Sequence, residues 1–324
     1  MHHDVLIVGG GPAGLSAALI LARARRRVLV CDAGKQRNRR SSRIGGYLTR
    51  DGANPAEFLQ IARDELRSYE RVELRGNTEV VNAARCESGF QLGSAKGEAF
   101  VGRKLLVATG VTDALPPIPG IDAFYGHSVW HCPYCDGYEQ RDRRVGVYGR
   151  SNVALGLALE LTGWTSELVL VSDGPCELRP VERRRLARSN IALREEPIAR
   201  LEGRAGDLEH IVFTSGETLS VDALFFRSDG KANVEIVRQL GVTGGKAKAV
   251  RTGRYGKTGV PGVFVAGDAS RHVQFAIVAA GEGAAAAFAI NNELLKEDLA
   301  GFSQQASAVS TGNAHRGSKP VHPK

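Results

Sequence analysis

Residues 5–8 form an apolar run without alternation, Val5-Leu6-Ile7-Val8, and give way at once to Gly9-Gly10-Gly11-Pro12-Ala13-Gly14. A short run of this kind, closed by a glycine turn, predicts a strand buried on both faces of a parallel sheet. An alanine-rich stretch to about residue 25 predicts a helix, and a second apolar run at 28–31 ends on Asp32. Residues 4–32 therefore read as a βαβ unit. A second helix is predicted over 55–69, because Asn54 suits the N-cap, Pro55 the first helical position and Glu57 the capping box. Strand patterns follow around 72–80, 90–92 and 99–101, and a buried-type strand at 104–108 ends on Thr109-Gly110.

The segment 113–120 holds three prolines and reads as a linker. Beyond it the βαβ pattern recurs: strand 144–148, turn 149–152, helix 153–162, strand 167–172. Strand-like segments at 208–214 and 221–226 extend it. The chain turns back over 231–250, a strand at 263–266 leads into Gly267-Asp268, and an alanine-rich helix over about 277–296 closes the pattern. Residues 303–324 are polar and aperiodic, so a disordered tail is expected. The predicted fold class is α/β, with two Rossmann-like nucleotide-binding domains. The first spans 1–115 and 245–302, and the second, 116–244, is inserted into it.

Composition changes this picture little. The chain has 324 residues and a net charge of +8, which raises the question of nucleic acid. Its arginines fall in clusters at 23–27, 37–43, 141–144 and 183–188 without interleaved aromatic residues, and no recognition motif is present. A solvated surface is the plainer reading; cofactor phosphates or an acidic partner are the alternatives, and no nucleic-acid partner is expected. No apolar run approaches the length of a membrane span, and the start leaves no room for a signal peptide, so a cytoplasmic protein without a membrane partner is expected. Cys31, Cys86 and Cys176 stand alone, as buried small residues do.

The chemistry concentrates in three motifs. In Gly9-x-Gly11-x-x-Gly14, the first glycine allows a tight turn, the second lets backbone approach a pyrophosphate, and the third lets helix and strand pack closely. The helix start supplies amide donors and partial positive charge, and Asp32 can accept from a ribose hydroxyl. With strand, helix and acidic residue all in place, the motif predicts dinucleotide binding. The second motif, Gly149-Arg150-Ser151-Asn152-Val153-Ala154, is degraded: Ser151 takes the central glycine position, and Ser172-Asp173-Gly174 stands where an arginine could hold a 2′-phosphate. Functional nicotinamide binding and a structural relic both remain open there, with Arg179 and Arg183 to Arg185 as compensating candidates.

The third motif is His131-Cys132-Pro133-Tyr134-Cys135-Asp136-Gly137. Cysteines three positions apart can close a small disulfide, one thiolate attacking and the other resolving. Asp136 could carry the proton that this exchange moves. Zinc, with His127 and His131 as further ligands, would crowd its donors into nine residues; inert core thiols are the other alternative. Redox work is the reading favoured by the spacing.

The set Gly9 to Gly14, Ala108-Thr109-Gly110, Cys132 to Asp136, Gly267-Asp268 and Ala279-Ala280-Gly281-Glu282-Gly283 resembles the low-molecular-weight thioredoxin reductase family over residues 4–297. The resemblance implies FAD on the first motif, with Gly9, Gly11, Pro12, Ala13, Gly14, Asp32, Thr109, Gly110, Gly267, Asp268, Gln274 and Ala276 at the cofactor. It implies Cys135 facing the flavin, Cys132 facing substrate, Asp136 as acid–base, NADP(H) as second cofactor, and a homodimer. Two departures redirect it. Pro133-Tyr134 replaces the small pair between the cysteines, and Ser151 interrupts the second glycine motif. A Cys-Pro-aromatic-Cys centre, and the segment Arg43-Ile44-Gly45-Gly46-Tyr47-Leu48-Thr49-Arg50-Asp51-Gly52, are similar to the branch of small-molecule dithiol oxidases that close the disulfides of gliotoxin, holomycin and romidepsin. The implied activity is FAD-dependent oxidation of a small-molecule dithiol, with O2 or NADP+ reoxidising the flavin. The alternative is NADPH-dependent reduction of a thioredoxin-like protein.

Overall fold

The computed structural model describes residues 2–242, 249–270 and 273–314. The chain runs β1 (His2–Val8), α1 (Pro12–Arg23), β2 (Val28–Asp32), α2 (Pro55–Arg67), β3 (Val72–Gly76), β4 (Val80–Cys86), β5 (Gly89–Ser94), β6 (Ala99–Val107), β7 (Val111–Thr112), α3 (Ile121–Phe124) and β8 (Val129–Trp130). It continues with α4 (Pro133–Asp136), β9 (Val145–Tyr148), α5 (Asn152–Leu161), β10 (Leu168–Val171), α6 (Pro180–Arg188), β11 (Ala192–Arg194), β12 (Ile198–Arg204), β13 (Asp207–Phe213) and β14 (Thr218–Ser220). The last elements are β15 (Ala223–Phe226), β16 (Lys231–Ala232), α7 (Glu235–Gln239), β17 (Val263–Val265) and α8 (Ala276–Ala314).

The first sheet has the order β3-β2-β1-β6-β5-β4, and β17 pairs with β6. β3, β2, β1, β6 and β17 are parallel. Alternation along these strands divides the apolar residues between two cores. Val5, Ile7, Val28, Val30 and Leu106 face α1 and α8, while Leu6, Val8, Leu29, Cys31, Leu105 and Val107 face the other side. That two-sided burial is why these strands carry continuous apolar runs. The patterns at 99–101 and 104–108 merge into one long strand: its first half pairs with β5, its second with β17. Gly283 joins α8 to α1 at backbone distance, since a Cβ there would lie 1.9 Å from the Ala13 carbonyl oxygen.

The second sheet, β11-β10-β9-β15-β8, is parallel throughout. Beside it lies a three-stranded antiparallel sheet of β12, β13 and β14. The chain leaves the first unit through β7 and returns through β16, and these two pair antiparallel. Ala232, Val234, Ile236, Val237 and Val242 then join the core of the first sheet. These residues lie N-terminal to the expected boundary at 245, which falls outside the described residues. The closing helix extends through Ala314, so the backbone of 303–314 is helical where a disordered tail was expected. The rest of that tail, 315–324, lies outside the described residues. No helix among the described residues is long and apolar enough to cross a membrane.

Candidate active site

The carboxyl ends of β1, β2, β6 and β17 converge on one cleft of about 940 Å³, the place where open α/β sheets bind ligands. Gly9 sits at φ +115°, and a Cβ on it would lie 2.2 Å from the Ala108 carbonyl oxygen. At Gly14 a Cβ would come within 1.9 Å of the Gly9 carbonyl oxygen. Gly11 differs, because a Cβ there would meet no protein atom within 4 Å. Its missing side chain opens space in the cleft. α1 starts at this point with Pro12 at its first position, no side-chain cap and no acidic residue in its first turn. Its leading amides are therefore left for a ligand, and the geometry fits a dinucleotide pyrophosphate.

Asp32 ends β2 beside this turn. Its carboxylate accepts from the Gly34 amide, the Gln36 side chain and Arg63, so a ribose hydroxyl would compete for it with Gln36. A Cβ on Gly10 would lie 2.5 Å from the Asp32 carboxyl carbon. Gly10 is therefore a constraint that motif spacing missed. On the far wall, Asp268 is pushed up by burial, against the opposing pull of Arg37. Arg37 donates to Asp268 at 3.0 Å and to Gln274 at 2.6 Å, and it forks onto Asp113 at 2.7 and 2.6 Å. Sequence reading left Arg37 in a solvated cluster; its partners, 76 and 231 positions away, gave no local signal.

The cysteine pair enters the same cleft from the other unit. β8 ends at Trp130, and Cys132 is the N-cap of the single turn α4, with Pro133 at the first position. Cys132 and Cys135 are joined by a disulfide. Gly137 closes the turn at a point where a Cβ would lie 2.5 Å from the Pro133 carbonyl oxygen and 3.3 Å from the Trp164 ring. Burial pushes the Asp136 carboxyl up to about 7, helped by Glu139 and opposed by Arg43. A carboxyl poised there can both take and return a proton near neutrality. His131 is brought down to about 4 by burial and is neutral. Its Nδ1 lies 3.0 Å from the Tyr125 hydroxyl, which donates to Asp113 at 3.2 Å. His127 does not join a ligand set with it, and among the described residues no cluster could hold a metal ion.

The second glycine motif is built differently. Ser151 caps α5 by accepting from the Val153 amide, so part of the helix start is used internally. The Arg150 guanidinium donates to the carbonyls of Ser172 and Asp173 and lies 3.6 Å from the Asp173 carboxylate. That carboxylate accepts from the Ile198 amide at 2.7 Å. Arg179 pairs with Glu182, and Arg183 forks onto Glu195. Arg179 and Arg183 are thus neutralised by neighbouring carboxylates, and Arg150 ties the glycine turn to the end of β10. This turn is tied by the chain's own groups where the first is open.

Gly9, Gly11, Pro12, Ala13, Asp32, Thr109, Gly110, Gly267, Asp268, Gln274, Ala276, Cys132, Cys135 and Asp136 line one cleft; Gly14 lies just behind it. A disulfide facing a dinucleotide cradle defines a thiol–disulfide oxidoreductase. The chain belongs to the pyridine nucleotide-disulphide oxidoreductase family, which matches residues 3–283, and membership implies flavin and nicotinamide-nucleotide chemistry. It is 34% identical to the thioredoxin reductase tcpT of Claviceps purpurea, over 82% of this chain and 86% of that one. It is 29% identical to the thioredoxin reductase of Coxiella burnetii, over 88% and 94% respectively. Among solved structures, HlmI superposes with a TM-score of 0.91 at 35% identity, over 95% of this chain and 98% of that one.

Proposed function

We propose that the protein is an FAD-dependent oxidase of small-molecule dithiols, with FAD in the first cleft and Cys132–Cys135 as the exchange centre. The observation that carries this reading is the contrast between the two glycine turns. One is open, with unspent amides; the other is tied off by Arg150 and capped by Ser151. Electrons therefore enter from a thiol and not from NADPH.

A substrate thiolate attacks the Cys132 sulfur, the Cys132–Cys135 bond breaks, and Cys135 leaves as a thiolate. The second substrate thiol then attacks the mixed disulfide, Cys132 leaves, and a cyclic disulfide is released. Asp136 takes a proton from the incoming thiol and returns one to the leaving sulfur. FAD held by the Gly9–Gly14 turn and Asp32 would supply the two-electron acceptor for the reduced pair, with dioxygen as the terminal oxidant, reduced to hydrogen peroxide. Tyr134 is 63% exposed beside the disulfide and packs against Trp164 at 5.5 Å and Phe275 at 6.0 Å, an aromatic surface suited to a small apolar substrate. A homodimer in the cytoplasm completes the reading.

The test is an anaerobic titration of the yellow holoenzyme. A dithiol should bleach the visible flavin absorbance within seconds, and NADPH should leave it unchanged over minutes. Rapid bleaching by NADPH, followed by transfer to a thioredoxin-like protein, would reverse the direction of electron flow and establish a reductase.

A further inference from the structure

The segment 37–45 follows β2 in the first unit, yet its side chains reach across to the second. Arg40 pairs with Asp122 at 2.9 Å and Arg43 with Glu139 at 2.9 Å. Glycines on both sides permit close backbone approach. A Cβ on Gly126 would lie 2.5 Å from the Arg40 carbonyl oxygen, and one on Gly45 would lie 2.1 Å from the Cys135 carbonyl oxygen. The loop that presents Arg43 and Gly45 is held by its own bonds: Ile44 donates to Ala53 and Gly52 to Ile44, both at 2.8 Å, and Gly46 donates to Asp51. Part of the arginine cluster at 37–43 is therefore an internal strap, ending on the turn that carries the disulfide.

We propose that Arg43 is a positioning residue of the cysteine centre: from the first unit it pairs with Glu139 and holds the turn 132–139, which carries the disulfide and Asp136, against the strap. The inference rests on the reading of Asp136 as the proton carrier. Two charged groups act on Asp136. Glu139, on the same turn, raises its proton affinity, and Arg43, from the strap, lowers it. The turn also meets the Gly45 backbone, the Trp164 and Phe275 rings, and Arg141, whose guanidinium lies over the Tyr138 ring and donates to the Tyr138 carbonyl. Of these only Arg141 is charged, and it is not among the groups acting on Asp136. The Arg43–Glu139 pair is partly sheltered: Nε of Arg43 and Oε2 of Glu139 are buried with no hydrogen-bond partner. Removing one member leaves the other charge uncompensated in a partly sheltered place, where charges interact more strongly than in bulk water.

The experiment follows the anaerobic reduction of the holoenzyme's flavin by dithiothreitol from pH 5 to 9 and compares variants. In the wild type the rate, corrected for the thiolate fraction of dithiothreitol, rises as Asp136 ionises, and Asp136→Asn should abolish that limb. Arg43→Gln should move the limb to higher pH by on the order of one unit. Glu139→Gln should move it to lower pH by a similar amount, and Arg43→Lys should leave it in place. The protonated-carboxyl stretch of Asp136, followed by difference infrared titration, should shift with the same signs without any turnover. A merely structural role for Arg43 predicts a loss of rate or stability with the limb unmoved. Unmoved limbs in both Arg43→Gln and Glu139→Gln, alongside a limb abolished by Asp136→Asn, overturn the inference. If Asp136→Asn leaves the limb intact, the acid–base reading itself fails, and the inference fails with it.

Discussion

Replacing either Cys132 or Cys135 by serine should lower dithiol oxidation by roughly 10⁴-fold or more while the protein remains yellow, a scale typical of losing a covalent nucleophile. A hydroxyl is not ionised near neutrality and cannot form the enzyme disulfide, so neither exchange step survives. The flavin should stay, because the cradle of Gly9, Gly11 and Asp32 belongs to a different part of the chain from the α4 turn. The two variants should also differ from one another. With Cys135 replaced, the remaining Cys132 thiolate should be modified by a linear aromatic disulfide, forming a stable mixed disulfide and releasing one aromatic thiolate. With Cys132 replaced, Cys135 should react more slowly, since it is the member assigned to the flavin side. Mass spectrometry of the intact protein reads both outcomes. Equal modification of the two variants would remove the division of labour between the cysteines, and full oxidase activity in either would end the scheme.

What the sequence made legible follows the range of the interaction. The turn at 9–14 was readable because strand, glycines, helix and Asp32 lie within one βαβ unit, and each glycine has a local reason. The cysteine turn was readable for the same cause, since Cys132 through Asp136 are consecutive. Gly10 escaped because its constraint is the Asp32 carboxylate, brought beside it by sheet pairing and not by spacing. Arg37 and Arg43 escaped more completely. Each is one of several arginines in a polar stretch, and only the folded chain joins them to Asp113, Asp268 and Glu139. The crossing strands β7 and β16 have two residues each, too short for any period to be read. Ser151 and the Asp173 region were noticed as departures, but Arg150 was not seen as the group that closes that turn, because its bonds run to carbonyls of the next strand's end.

The contrast between Gly11 and Gly14 yields the second large effect, and it separates the cofactor from the fold. Gly14→Val puts a branched side chain where even a Cβ would sit 1.9 Å from the Gly9 carbonyl oxygen. Helix α1 must then move off β1, with the overpacking cost of about 1–3 kcal/mol or more that a tight core exacts. Loss of both flavin and thermal stability is expected, read as a colourless protein with a lowered Tm. Gly11→Val adds the same atoms at a site where a Cβ meets no protein atom within 4 Å. Its fold should therefore survive, with a change within about 1 kcal/mol for a surface-like position, while the space and amides reserved for a pyrophosphate are blocked. Flavin affinity should fall at least tenfold, equivalent to about 1.4 kcal/mol, and far-UV circular dichroism should be unchanged. The equivalent change at Ser151, Ser151→Val, should leave flavin content and dithiol oxidation as they are, because that turn is closed by the chain's own groups. A Gly11→Val protein that retains its full flavin complement would mean that the open space at the start of α1 is not the cofactor's cradle.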